Sequence, residues 1–200
     1  MKKVLILLAI LVLTPSVRAE RCTLIGDSLM VGPGSWPEYA SIDGVRFSNQ
    51  AVGGLALFHV ITNEGGVLTK ISGALMGSKS VVMALGGNDA SALAAKGWLG
   101  WADWMVVYSE LRLVTAYLLL FPVETIYLLE YHPFYGAVVT PDDVRIFNRI
   151  LARLADRSNR IKVIRVFDEF AAHPEYTDGS VYPTDAGAQA IARMVEDALK

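Results

Sequence analysis

The chain has 200 residues, 53% of them hydrophobic, with 18 Lys and Arg against 20 Asp and Glu for a formal net charge of −2. That balance argues against a polyanionic partner such as nucleic acid, which calls for a basic surface. A single cysteine, Cys22, excludes an intramolecular disulfide, so stability has to come from packing.

Residues 1–19 read as a secretory signal peptide. MKK is a short basic start and VLILLAILVL an apolar run too short for a permanent bilayer span. TPSVRA then ends with Val17 and Ala19 at the small-residue positions. The expectation is export to the periplasm or the extracellular space, with one domain over residues 20–200. Removing Lys2, Lys3 and Arg18 from the 18 basic residues leaves 15 against 20 acidic ones, a mature net charge near −5. A second apolar stretch, 114–131, is interrupted by Pro122 and Glu124. It reads as the end of a buried helix followed by a buried strand, leaving no permanent membrane span after signal cleavage.

In chain order, the mature sequence predicts a strand at 22–26 (CTLIG) and another at 45–49 (VRFSN). A helical pattern follows over 55–75, interrupted by Gly65-Gly66, then a strand at 80–85 (SVVMAL), a helix at 101–121 and a strand at 125–130 (TIYLLE). Thr140-Pro141-Asp142-Asp143 starts a helix over 141–157, as cap, proline at the first position and acidic first turn. KVIRVF (162–167) is the fifth strand, and a last helix over 184–199 is capped by Thr184. The strands are short, apolar on both faces and rich in Val and Ile, as in a parallel sheet covered on both sides. The reading is one α/β domain with about five parallel strands. In such sheets ligands bind beyond the carboxyl ends of the strands.

The residues at those ends are Gly26-Asp27-Ser28-Leu29, then Asn49-Gln50-Ala51-Val52-Gly53-Gly54, then Gly86-Gly87-Asn88-Asp89. Asp178-Gly179 comes after the fifth strand, just before the last helix. Singly, each is ordinary turn and cap chemistry. Together they suit acyl transfer. A hydroxyl nucleophile needs a firm, exposed strand-to-helix turn, which Ser28 would occupy. A tetrahedral intermediate needs donors aimed at its oxyanion, which the Ser28 N–H, a glycine N–H and the Asn88 amide could supply. A late acidic residue would orient a general base.

GDSLMVG, NQAVGG, LGGND and DG…PTDAG resemble, in this order, the four sequence blocks of the SGNH (GDSL-type) hydrolases, and the bacterial periplasmic thioesterase/lysophospholipase branch looks closest. The resemblance covers roughly residues 20 to 200. It implies a three-layer α/β/α sandwich, flavodoxin-like, with strand order 2-1-3-4-5, and hydrolysis of esters or thioesters without a metal or other cofactor. By the resemblance, Ser28 is the nucleophile and first oxyanion donor, Gly54 the second donor, Asn88 the third, and Asp178 the carboxylate that orients the base.

The fourth block departs from the family, whose pattern reads Asp, two residues, then His. Here Val181 is the third residue after Asp178, and Tyr182 stands before Pro183. Loss of the histidine from a Ser-His-Asp system can lower turnover about a millionfold. A phenol with a pKa near 10 is a poor substitute base. His173, five residues before Asp178, is the tentative displaced base. His132 follows the fourth strand, about 10 Å from the first, and is expected to line the substrate cleft. His59 reads as a structural residue of its helix. Trp98, Trp101 and Trp104, with Tyr131, Phe134 and Tyr135, either pack on the core or form an apolar or sugar-stacking wall.

The expected function is an exported serine esterase acting on a small acyl ester, thioester, lysophospholipid or O-acetylated glycan through an acyl-enzyme on Ser28. The rival is a catalytically silent scaffold of the same fold that binds an acyl or glycan ligand. A nucleotide binder is a distant third, because GDSLMVGPG lacks the phosphate-cradling pattern of a P-loop.

Overall fold

Five strands hydrogen-bond in parallel in the order β2-β1-β3-β4-β5. They are β1 (Glu20–Gly26), β2 (Val45–Asn49), β3 (Ser80–Ala84), β4 (Thr125–Leu129) and β5 (Ile161–Ile164). The computed structural model describes residues 19–97, 99–133 and 139–200. The expected signal peptide, apart from Ala19, lies outside the described residues, as do Trp98, Phe134 and Tyr135.

Side chains of the sheet alternate between two cores, as the period-2 geometry of a strand requires. Ile25, Val81, Met83, Ile126 and Leu128 enter one core; Leu24, Val82, Ala84, Tyr127 and Leu129 enter the other. The first is covered by α1 (Leu57–Ile61), α2 (Val67–Leu75), α3 (Gly87–Ala94), α4 (Trp101–Leu118) and α5 (Pro141–Ala155). The second is closed by Trp36, by Phe170 of α6 (Phe167–Ala172), and by Ala188, Ile191 and Val195 of α7 (Asp185–Leu199). This is the three-layer α/β/α sandwich, with the strand order that the resemblance implies. Among the described residues, no helix is long and apolar enough to cross a membrane.

Local chemistry sets most boundaries where expected. Thr140 caps α5 by accepting from the Asp143 N–H, and Thr184 caps α7 by accepting from the Gly187 N–H. Asn63, Gly65 and Gly66 all take positive φ, which divides the 55–75 pattern into α1 and α2. Two helices were not expected, α3 and α6. The fifth strand is also shorter than the predicted 162–167. Its ladder stops because the Val166 and Phe167 N–H groups turn to donate to the buried Glu130 carboxylate at 3.0 and 3.2 Å, opening α6 instead. Consequently α6 and a 3-10 turn over Pro174–Tyr176 separate Asp178 from the fifth strand.

Candidate active site

The nucleophile turn is built by its own aspartate. β1 and β3 pair Gly26 with Ala84, and the Asp27 N–H extends that ladder by donating to the Ala84 carbonyl at 3.2 Å. The Asp27 carboxylate then accepts from the Leu29 N–H at 3.0 Å, winding Ser28–Met30 into one 3-10 turn. Ser28 is the first residue of that turn and stays partly exposed while Asp27, Leu29 and Met30 are buried.

The second block runs alongside the first. Gln50 and Val52 N–H groups donate to the Leu24 and Gly26 carbonyls at 2.9 and 3.0 Å. The Asn49 amide donates to the Met30 carbonyl at 2.8 Å and accepts from the Ala51 N–H at 2.9 Å, clamping both loops. Gly54 lies beyond, exposed, with φ +73°. A cleft of about 290 Å³ opens there between Gly53, Gly54, His59, Glu64 and Lys70.

The third block is bound to the second through its two polar side chains. Asn88 Nδ2 donates to the Leu55 carbonyl at 2.9 Å. Asp89 does not cap its own helix; both of its carboxylate oxygens accept the Leu57 N–H, at 3.1 and 2.9 Å, and so cap α1. Gly86 makes the turn possible, with φ +109° and the Phe147 ring only 2.7 Å from where a Cβ would stand.

Tyr131 joins the third block to the first. Its hydroxyl donates to Asp27 Oδ2 at 2.9 Å and accepts from the Gly87 N–H at 3.2 Å. Asn148 fixes the Tyr131 backbone in turn, accepting from its N–H at 3.1 Å and donating to its carbonyl at 2.9 Å. Burial pushes the Asp27 carboxyl up to about 6, helped by the nearby Asp89 charge and opposed by donation from Leu29 and Tyr131.

The fourth block is a closed loop. Thr177 bridges Pro183, and the Thr184 N–H donates to the Tyr176 carbonyl at 2.9 Å. Gly187 is required behind it, since a Cβ would stand 2.2 Å from that carbonyl oxygen. Inside the loop, Asp178 is exposed and accepts from the Ser180 N–H at 2.9 Å; the Ser180 hydroxyl and N–H hold its carboxyl below the usual range. Tyr182 is 53% exposed. The Tyr39 hydroxyl donates to Asp185 Oδ1 at 3.1 Å, tying the start of α7 to the segment after the nucleophile turn.

Ser28 in its 3-10 turn, Gly54 on its loop and Asn88 in the first turn of α3 thus belong to three segments locked together by hydrogen bonds. Asp178 and His173 stand differently. His173 Nδ1 is 3.0 Å from Glu175 and Nε2 is 3.7 Å from Glu169, and the ring stacks on Tyr176. Among the described residues no imidazole hydrogen-bonds the Ser28 hydroxyl or the Asp178 carboxylate. His59 is the half-exposed structural residue expected, its Nδ1 accepting from the Ala56 N–H at 3.0 Å. His132 is a correction. It is 1% exposed, stacked on Phe170 beneath the fourth-block loop, with Nε2 2.9 Å from the Val181 carbonyl, rather than open to a cleft. Burial holds its pKa below the ordinary histidine value. Of the two readings of the aromatics, core packing holds for Trp104 and Tyr131, which are buried in the core, while Trp101 projects into solvent. Sequence reasoning missed the polar roles of Asp27, Asp89 and Tyr131. A hydroxyl-bearing aromatic directly after a buried strand was the one available signal for Tyr131.

No protein-family model and no curated protein matches the chain. Solved structures do. An acetyl xylan esterase superposes with TM-score 0.69 at 18% identity, covering 90% of this chain and 100% of its own. A lipase/acylhydrolase from Enterococcus faecalis gives 0.68 at 13% identity, over 90% and 95%. A candidate SGNH hydrolase from Slackia heliotrinireducens gives 0.65 at 19% identity, over 91% and 100%. With its parallel sheet in the order 2-1-3-4-5 and its helices on both faces, the chain has the fold of the SGNH hydrolases.

Proposed function

We propose that the chain is an exported, metal-independent serine esterase that transfers the acyl group of a small ester, thioester or O-acetylated glycan to Ser28 and then to water. The observation that carries this reading is the mutual locking of the first three blocks: Asn49 to Met30, Asn88 to Leu55, and Tyr131 to both Asp27 and Gly87. These bonds fix, relative to one another, the segments that carry Ser28, Gly54 and Asn88, and fixed donors are what stabilising an oxyanion requires. One Asn88 amide hydrogen holds Leu55, and in this reading the other would donate to the oxyanion.

Proton transfer is the step with the weakest local provision. In this reading His173 serves as the base after the exposed loop rearranges. Its partners are the carboxylates of Glu175 and Glu169 on the surface. Export rests on the character of residues 1–19. The second reading, a silent scaffold that binds an acyl or glycan ligand, is favoured by one observation: Val181 occupies the histidine position and Asp178 is engaged by Ser180.

A fluorophosphonate probe separates the two readings. The esterase predicts covalent labelling of the wild type that is absent in Ser28→Ala and strongly reduced in His173→Ala. No labelling at high protein concentration leaves the binding scaffold. Labelling that survives His173→Ala removes that residue as the base.

A further inference from the structure

The solvent face of α4 exposes several large apolar side chains. Trp101 is 79% exposed, Leu113 59%, Val106 48% and Met105 38%. No carboxylate interrupts the exposed positions of this helix, because Asp103 and Glu110 are both partly covered. An apolar face of this kind, left uncovered, marks an interaction surface.

The neighbouring helix α5 and the strand that follows it are rich in positive charge. Seven of the chain's 18 basic residues fall between 145 and 165, where Asp156 is the only acid, although the chain as a whole is net negative. Arg145 is paired with Asp142, Arg157 lies over the Tyr108 ring, and Arg160 turns inward to the Leu119 and Phe121 carbonyls. Arg149 and Arg153 remain exposed on α5, with no ion pair among the described residues. With Ile146 they face Trp101, Met105 and Tyr108 across an interhelical groove of about 250 Å³.

We propose that the α4–α5 face docks the protein on the surface of an anionic phospholipid bilayer. Trp101 and Met105 would enter the headgroup–acyl boundary, and Arg149 and Arg153 would reach phosphates. The charge pattern chooses this occupant. Unpaired arginines bordering an apolar face that carries an exposed tryptophan match an interface that is anionic above and hydrocarbon below. Long arginine stems let the guanidinium groups stay at headgroup level while the helix face is buried. Backbone groups of both helices are internally bonded, so the groove offers no edge for an extended peptide. The proposal does not depend on the esterase reading.

Vesicle co-sedimentation tests it, using the chain from Glu20 onward. That chain carries every element found among the described residues and omits the apolar segment 1–19, which could bind lipid by itself. The expected result is binding to vesicles of phosphatidylglycerol and phosphatidylcholine with a blue shift of tryptophan emission, weakening with salt, and little binding to phosphatidylcholine alone. Trp101→Ala should lose most of the shift. Arg149→Glu with Arg153→Glu should lower partitioning by about tenfold or more. All these positions are exposed, and circular dichroism checks the folding of each variant. Absence of binding to anionic vesicles at low salt overturns the proposal, as does binding that neither substitution changes. Self-association in sedimentation velocity that Trp101→Ala abolishes, without lipid binding, also overturns it and assigns the face to a second copy of the chain.

Discussion

The imidazole of His132 lies 2.9 Å from the carbonyl oxygen of Val181. The end of β4 therefore grips the backbone at the very position where the SGNH pattern places its histidine. A carbonyl oxygen only accepts, so Nε2 carries a proton, and burial pushes the ring's pKa below the ordinary histidine value. His132→Ala should empty the space under the Phe170 stack and release the loop. The expected cost is about 2–4 kcal/mol by chemical denaturation, with faster protease cleavage between residues 178 and 182. Unchanged stability and unchanged cleavage would refute this role.

Tyr131→Phe removes one hydroxyl and disturbs two loops. The Asp27 carboxylate loses a donor and the Gly87 N–H loses its acceptor, both in buried surroundings. A loss of about 1–3 kcal/mol follows, read as a lower urea midpoint at constant slope. The Asp27 pKa should also rise further, because one of the bonds that opposes its burial has gone.

Asp27 gives the fold a pH signature of defined sign. Its folded pKa of about 6 exceeds the ordinary aspartate value of 3.8. Between those values the folded state binds a proton that the unfolded state does not, so stability falls as pH rises through the window, by roughly 2–3 kcal/mol. Asp27→Asn should remove this slope from denaturation curves collected between pH 4 and pH 7. Parallel profiles for the two proteins would show that Asp27 titrates normally.

Two glycines at positive φ should respond differently to alanine. At Gly86 a Cβ meets the Phe147 ring at 2.7 Å and the backbone has φ +109°. Both strain and overlap act there, and Gly86→Ala should cost about 2–4 kcal/mol. Gly54 has φ +73° but open space around it, so only the left-handed strain of about 1 kcal/mol remains. Thermal unfolding of the two variants, compared directly, checks the ordering.

Much of this was legible in residues 20–200 because it depends on local rules. The Val- and Ile-rich runs, Thr140-Pro141 and Thr184 as caps, and the Gly65-Gly66 break each state their structure within a few positions. The order of the four blocks pointed to the fold. α3 escaped notice because GNDASALA is made of small residues with little periodic signal, and β5 was overextended because its stop is supplied by Glu130, distant in sequence.

Sequence by itself determined which polar groups stand at the strand ends, since strand and turn chemistry act between neighbours. Only tertiary structure decided what those groups do. Asp89 caps a helix 32 residues away, Tyr131 reaches Asp27 across 104, and His132 meets Val181 across 49. Burial sets the pKa values of Asp27 and His132 through neighbours that packing alone brings near. The physical reason is that hydrogen bonding and desolvation depend on distance in space, and a parallel sheet brings together chain segments that lie far apart in sequence.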